Sequence, residues 1–154
     1  MEGIRTILDR VVKIEIDFAA NKDCADVMLD IFCDDQKFFS GSANSSLQTV
    51  LIDLVEDTAD HVLRLEMTGK KPHHTIVSSN GDIVDDVYFR IIKLEFEGLD
   101  LRDIFCLGHQ CYTHSFNGSR PEFVDEFYGQ IGCNGVICMQ FKQPFFLWLD
   151  SIIE

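Results

Sequence analysis

The sequence of 154 residues has few basic side chains, since 13 Lys and Arg face 26 Asp and Glu and the formal net charge is −13. Nucleic-acid backbones and anionic lipid surfaces are bound through clustered Lys and Arg. The one dense basic patch is the pair Lys70-Lys71. We therefore expect no direct nucleic-acid partner and no membrane partner, while cations, neutral sugars and protein surfaces stay open.

Long apolar runs are missing as well, and none approaches the roughly 20 residues of a membrane-spanning helix. Residues 1–10 lack the apolar core of a secretory signal, because Asp9 and Arg10 interrupt it. We therefore expect synthesis in the cytosol. The six Cys include no Cys-x-x-Cys pair, so zinc spacing is absent, and a reducing compartment argues against disulfides. Buried free thiols are the simpler interpretation.

Motifs of the common enzyme classes are not found. The sequence has no Gly-x-Ser-x-Gly elbow, no phosphate-binding Gly-rich loop and no His-Glu-x-x-His. His109, Cys111 and His114 are potential metal ligands, but on an extended strand His114 would point away from the other two. We predict that the chain is not an enzyme, with a hydrolase as the least favoured alternative.

What the sequence does contain is the alternation of apolar and polar residues that is typical of half-buried strands. It runs through residues 12–18, 27–33, 61–67 and 87–96, with turn residues between. Residues 40–46 are small and polar and predict a loop, residues 127–131 predict a strand, and residues 101–106 predict either a helical turn or an edge strand. Pro144, followed by apolar residues at helical spacing, predicts a short helix at the end. We predict a single all-β domain over residues 1–154, an antiparallel β-sandwich of jelly-roll type with a short C-terminal helix.

Candidate binding residues fall into three groups. The acidic residues that follow the Asn80-Gly81 turn are Asp82, Asp85 and Asp86. They predict a calcium site, although a solvated acidic loop gives the same pattern. Aromatic faces that could stack on a sugar, or pack in the core, are Tyr88, Tyr112, Tyr128 and Trp148. Aromatic residues that could contact a partner subunit are Phe38, Phe39, Phe145 and Trp148.

Three segments, residues 26–35, 61–69 and 85–100, look like consecutive strands of small jelly-roll modules. The sequence resembles the calcium-dependent, xylan-binding type of carbohydrate-binding module. It is also similar to related small β-sandwich proteins that tailed bacteriophages encode among their virion genes. Residues 127–135 and 144–149 resemble the ends of those phage proteins. The first resemblance implies that Asp85 or Asp86 ligates calcium, which in turn holds sugar hydroxyls. Val87-Tyr88-Phe89 follows here instead of the family's Asn-Leu.

These resemblances imply three possible functions. The leading hypothesis is a non-enzymatic structural or accessory protein of a tailed-phage virion, in the tail, baseplate or fibre-attachment region. It would be made in the host cytoplasm, be located in the virion, and pack against other virion proteins in symmetric multiple copies. The alternative is a calcium-assisted carbohydrate-binding module that recognises a cell-surface glycan. A capsid decoration protein is the further alternative.

Overall fold

The computed structural model of the protein describes residues 10–153. The segment that bears on the export prediction, residues 1–9, lies outside the described residues, as does residue 154. No helix in the described part of the chain is long and apolar enough to cross a membrane.

Most of the described residues lie in antiparallel strands, which in chain order are β1 (Val11–Ala20), β2 (Cys24–Cys33), β3 (Gln36–Ala43), β4 (Gln48–Val55), β5 (Asp60–Thr68), β6 (Ile76–Val77), β7 (Ile83–Asp85), β8 (Phe89–Phe96), β9 (Leu99–Asp100), β10 (His109–His114), β11 (Phe123–Phe127), β12 (Gln130–Ile131) and β13 (Gly135–Lys142). A 3₁₀ turn covers Pro72–His74. The α-helices are α1 (Arg102–Phe105) and α2 (Phe145–Ile152).

The strands form two facing sheets and one small hairpin. One sheet has the order β12-β8-β1-β4, with β9 paired to β8, and the other has the order β11-β10-β13-β5-β2-β3. The hairpin is β6-β7. The predicted all-β antiparallel sandwich with a short C-terminal helix is confirmed. The long polar connection between β5 and β8 carries the chain from one sheet to the other.

The core lies between the two sheets because alternate residues of each strand point inward. In β1 the inward residues Val12, Ile14, Ile16 and Phe18 are all buried, whereas the residues between them are exposed or half-buried. Phenylalanine rings fill the end of the core beneath α2: Phe96 lies edge-on to Phe141 with centroids 5.0 Å apart and stacks on Phe145 at 5.3 Å. The helix is thereby joined to the sandwich.

Three local predictions differ from the structure or are decided by it. Residues 40–43 extend β3, so the predicted loop is wrong there; the polar side chains suit an edge strand that faces solvent, and Gly41 leaves room for the ring of Phe39. The predicted strand 127–131 is two strands, because Gly129 between them has a φ of +87°. Of the two alternatives for residues 101–106, a helical turn forms.

The pairing of β5 with β13 defines the two ends of the sandwich. Asp60 lies opposite Lys142 at one end, and Met67 lies opposite Gly135 towards the other. We call the first the cleft end, where β5 begins and β13 ends. The second is the lysine end, which contains Lys70 and Asp86.

Candidate ligand-binding cleft

A cleft with a volume of about 650 Å³ opens at the cleft end, between α1, α2, the starts of β5 and β10 and the end of β13. This volume lies in the range of small-ligand sites, about 300–1,000 Å³. Its lining combines buried aromatic residues with exposed polar residues. Elements that are distant in sequence therefore converge on one concave surface.

Aromatic rings form one wall of the cleft. Trp148 of α2 is half-buried and lies nearly parallel to the buried Phe105 of α1, with centroids 6.3 Å apart and an angle of 13°. Buried Phe141 approaches the same indole at 6.3 Å and 64°. His109 lies edge-on to Phe105 at the rim. Trp148 is thus held by two buried rings while part of its surface borders the cleft.

Polar side chains border the cleft around His61, whose ring stacks on Phe141 with centroids 5.4 Å apart. Its Nδ1 lies 2.8 Å from Asp34 Oδ2, and its Nε2 lies 2.8 Å from Asp57 Oδ1. Asp34 also accepts the Val62 N–H at 3.0 Å, and Asp57 accepts the Ala59 N–H at 2.9 Å. A histidine that meets carboxylates at both ring nitrogens donates to both only as the imidazolium.

The pKa values at this bridge shift in opposite directions. Burial on its own lowers the pKa of His61, but the hydrogen bonds to Asp34 and Asp57, together with their charges, raise it above 6.5. The pKa of Asp57 is lowered from 3.8, chiefly by the His61 hydrogen bond and next by the Ala59 N–H. The bridge thereby ties the β2–β3 turn to the β4–β5 loop.

We expect this bridge to make the free energy of unfolding depend on pH. The stability that the raised pKa of His61 contributes is complete below pH 6.5 and is lost as the pH rises through the folded-state pKa. The stability that Asp57 contributes is present above pH 3.8 and is lost as the pH falls through its folded-state pKa. Urea unfolding at several pH values should place the bridge's greatest contribution between these two limits.

The variant His61→Gln provides the internal check on this pH dependence. It should lower the free energy of unfolding at pH 6 by about 1 to 3 kcal/mol and flatten the decline above neutral pH. His73→Gln, which removes an exposed histidine at the lysine end, is the matched control and should retain the decline. Identical pH profiles for the wild type and His61→Gln would contradict the assignment.

The predicted calcium residues lie at the lysine end, away from the cleft. Asp85 Oδ2 is 2.7 Å from Lys22 Nζ, and Asp86 Oδ1 is 2.6 Å from Lys70 Nζ, while Asp82 is exposed. The hydrogen bond and charge of Lys22 lower the pKa of Asp85. Two of the three carboxylates are thus neutralised by lysines, and the set does not fit a calcium ion, which needs six to eight converging oxygens.

The remaining cluster of potential metal ligands among residues 10–153 consists of Asp26, His73 and His74, whose donor atoms lie within 4.8 Å of one another. The Lys71 N–H donates to His74 Nδ1 at 2.8 Å, so a neutral His74 carries its ring proton on Nε2. That Nε2 faces Asp26 Oδ2 at 3.6 Å. Ligation through Nε2 requires this proton to leave, so the arrangement favours a contact between His74 and Asp26 over a metal centre.

The structure disperses the other predicted binding residues. Tyr112 is buried, and its hydroxyl bonds to the Cys133 carbonyl, so no sugar can reach it. Tyr88 is half-buried beside a small pocket of about 120 Å³. His109 lies at the cleft, whereas His114 is buried against Asp125, 2.8 Å from it. His109 and His114, two of the three potential metal ligands in this segment, therefore do not meet.

The predicted partner-contact residues have different environments. Phe145 is 0% exposed and cannot touch a partner, so that assignment is corrected, and its neighbour Phe146 carries the exposed ring at 48%. The reason is the helical turn, which points adjacent side chains about 100° apart. Phe39 is half-buried and packs edge-on against Phe18 at 5.0 Å. Phe38 is also half-buried, and Trp148 lines the cleft.

Comparisons with known proteins add a likeness in fold. No protein-family model matches the sequence, and no curated protein matches it. Two solved structures are similar: the selenomethionine form of vCBM60, from work linking two families of calcium-dependent carbohydrate-binding modules by circular permutation, and vCBM60 in complex with galactobiose. Each shares 9% identity with a TM-score of 0.47 over 82% of this chain, which spans 88% and 95% of the respective structures. At these values the likeness gives no information about function.

Proposed function

We propose that the chain is a non-catalytic carbohydrate-binding module that holds a neutral sugar in the cleft against Trp148. The observation that carries the proposal is one half-buried indole, backed by two buried rings and bordered by polar side chains, in a cavity of about 650 Å³. The similar structures are of carbohydrate-binding modules. The proposal rests on the cleft itself.

The chemistry of a sugar ring suits this lining. One face of a pyranose presents C–H groups, which pack on an aromatic surface, and its edge presents hydroxyls that both donate and accept. Asp60, Gln140 and Lys142 line the cleft and are exposed, so carboxylate, amide and ammonium groups border the aromatic wall. Such a small number of polar groups fixes the orientation of a ligand in a largely apolar site.

Charge favours a neutral sugar over an acidic one. The chain carries a net charge of −13, and at the cleft three acids, Asp34, Asp57 and Asp60, stand against the two basic side chains of His61 and Lys142. An anionic ligand would meet this field on approach, whereas a neutral ligand is indifferent to it.

The titratable groups support a binding role over catalysis. Burial raises the pKa of the Cys33 and Cys111 thiols to about 12, so neither forms the thiolate that nucleophilic catalysis needs. His61, with both ring nitrogens bonded to carboxylates, offers no lone pair to act as a base. The lowered pKa of Asp57 is opposite to what a general acid requires.

The virion hypothesis remains a prediction from sequence resemblance. The same holds for capsid decoration, for location in the virion and for symmetric multiple copies. Carbohydrate binding at the cleft is compatible with a place on a particle.

The test is calorimetric titration of the protein with soluble neutral di- and oligosaccharides, galactobiose among them. We expect saturable binding by the wild type, and Trp148→Ala should weaken it about tenfold or more because the stacking surface is lost. Gln140→Ala should weaken it several-fold, as the loss of one hydrogen bond does.

Two matched controls separate binding from folding. Phe146→Ala removes an exposed ring of the same helix, and Gln130→Ala removes an exposed amide from β12, and neither residue lines the cleft. Both should bind like the wild type. The proposal fails if the wild type binds no sugar of the panel at millimolar concentration, or if Trp148→Ala and Phe146→Ala bind equally well.

A further inference from the structure

We infer that the ammonium group of Lys70 is a built-in cation, which performs at the lysine end the bridging task that a calcium ion would perform and makes the fold independent of calcium. This inference concerns the end of the sandwich opposite the cleft. It stands or falls separately from the proposed sugar binding.

The surroundings of the ammonium resemble those of a bound cation. Lys70 Nζ lies 2.6 Å from Asp86 Oδ1 and 2.6 Å from the Gly132 carbonyl oxygen. Its side chain is 2% exposed, and that of Asp86 is 22% exposed. Carboxylate and carbonyl oxygens are the ligand types that calcium takes in proteins.

The backbone fixes where this ammonium lies. The Lys70 N–H donates to Asn134 Oδ1 at 2.9 Å, and Asn134 Nδ2 donates to the Lys70 carbonyl at 2.8 Å. This pair of bonds docks the loop after β5 onto the turn between β12 and β13. The side chain then reaches Asp86, just before β8. One residue therefore joins three segments that are far apart in sequence.

Asp86 has no place for a further cation on the same oxygen. Besides Lys70, its Oδ1 accepts the Thr75 hydroxyl at 2.8 Å and the Val87 N–H at 2.9 Å. A metal ion at this oxygen would have to displace the ammonium. A buried ammonium left without its partner is costly, because desolvation is no longer offset by attraction.

The adjacent carboxylate is neutralised in the same way. Asp85 Oδ2 binds Lys22 Nζ at 2.7 Å, although this pair is exposed to solvent and contributes less. Two lysines thus balance the two acids that a calcium ion would use. The loop needs no external charge to hold its position.

The first arm of the test is thermal unfolding of the wild type with EDTA, with millimolar calcium chloride and with magnesium chloride at equal ionic strength. We expect the same Tm in all three. An ion bound to the folded state at about 100 times its Kd would raise the Tm by about 5 °C or more. A rise specific to calcium would overturn the inference.

The second arm compares Lys70→Met with Lys71→Met, which removes the neighbouring exposed lysine. We expect Lys70→Met to lower the Tm by about 10 °C, because Asp86 is left without its partner, and Lys71→Met to change it by less than about 2 °C. Equal effects of the two substitutions would refute the role of Lys70.

The third arm is the double variant Lys70→Met, Asp86→Asn, which also covers the case in which Lys70→Met does not fold. Removing both charges should restore a large part of the lost Tm, since no carboxylate is left unpaired. A double variant no more stable than Lys70→Met would show that the lysine acts through packing and not through charge. Sugar titrations at the cleft should be unchanged in every variant that folds.

Discussion

Replacing Phe145 by Ala should lower the free energy of unfolding by about 3 to 5 kcal/mol and abolish ligand binding at the cleft. The side chain is 0% exposed and stacks on Phe96, with ring centroids 5.3 Å apart and an angle of 21°. Its removal leaves a cavity between α2 and the sandwich, because Phe96 beneath it is itself buried and cannot move to close the space.

The effect on binding follows from the position of Phe145 on the helix. Trp148 lies one helical turn further on the same face, with its ring centroid 6.0 Å from that of Phe145. When the anchor is lost, the indole is no longer held against Phe105 and Phe141. Stability and binding should therefore decline together.

The measurements are urea unfolding and the sugar titration described above, and Phe146→Ala is the matched control. Phe146 is the adjacent ring and is 48% exposed, so its removal should cost less than about 0.5 kcal/mol and leave binding intact. Phe145→Ala with wild-type stability, or with reduced stability but full affinity, would show that α2 is not anchored as the structure indicates.

The sandwich was within reach of sequence reasoning because its signal is local. Residues 12–18 and 61–67 alternate along their own length, and burial follows that alternation in β1 and β5. The short C-terminal helix was likewise indicated by Pro144 and the spacing that follows it. What failed locally was the edge strand β3, whose Ser and Gly residues resemble a loop because they face solvent and need no apolar face.

The cleft was beyond sequence reasoning because its residues come from separate segments. The β2–β3 turn and the β4–β5 loop bring together Asp34, Asp57 and His61. The sequence contained one indication of this contact, the i, i+4 spacing of Asp57 and His61. Trp148 was predicted both as an aromatic face for a sugar and as a contact for a protein partner. Its role at the cleft depends on Phe105 and Phe141, which the fold brings beneath it.

The acidic loop shows the converse, a signal that was present but incomplete. Asp85 and Asp86 are adjacent in sequence, but the sequence does not show which bases reach them. In the fold, Lys22 reaches Asp85 from 63 residues away, and Lys70 reaches Asp86 from the loop after β5. A cluster of acids in sequence is therefore no measure of free negative charge in the fold.

Gly69→Ala should lower the free energy of unfolding by about 2 to 5 kcal/mol. This loss has two causes: the strain of a non-glycine residue at positive φ, and the displacement of a neighbouring backbone. Gly69 has a φ of +86°, and a Cβ placed on it would lie 2.0 Å from the carbonyl oxygen of Asp26. That oxygen belongs to β2, which lies between β3 and β5, so it cannot move without disturbing the sheet. Urea unfolding measures the loss.

The matched control for Gly69 is Gly81→Ala, because Gly81 has a similar φ of +92° but nothing within 4 Å of the position of a Cβ. It carries the conformational strain without the contact and should cost about 1 kcal/mol. The difference between the two variants therefore isolates the close approach of the β5–β6 loop to β2. Because Gly69 immediately precedes Lys70, that approach also fixes where the buried ammonium lies, and equal losses for the two variants would mean that the loop is not held against β2.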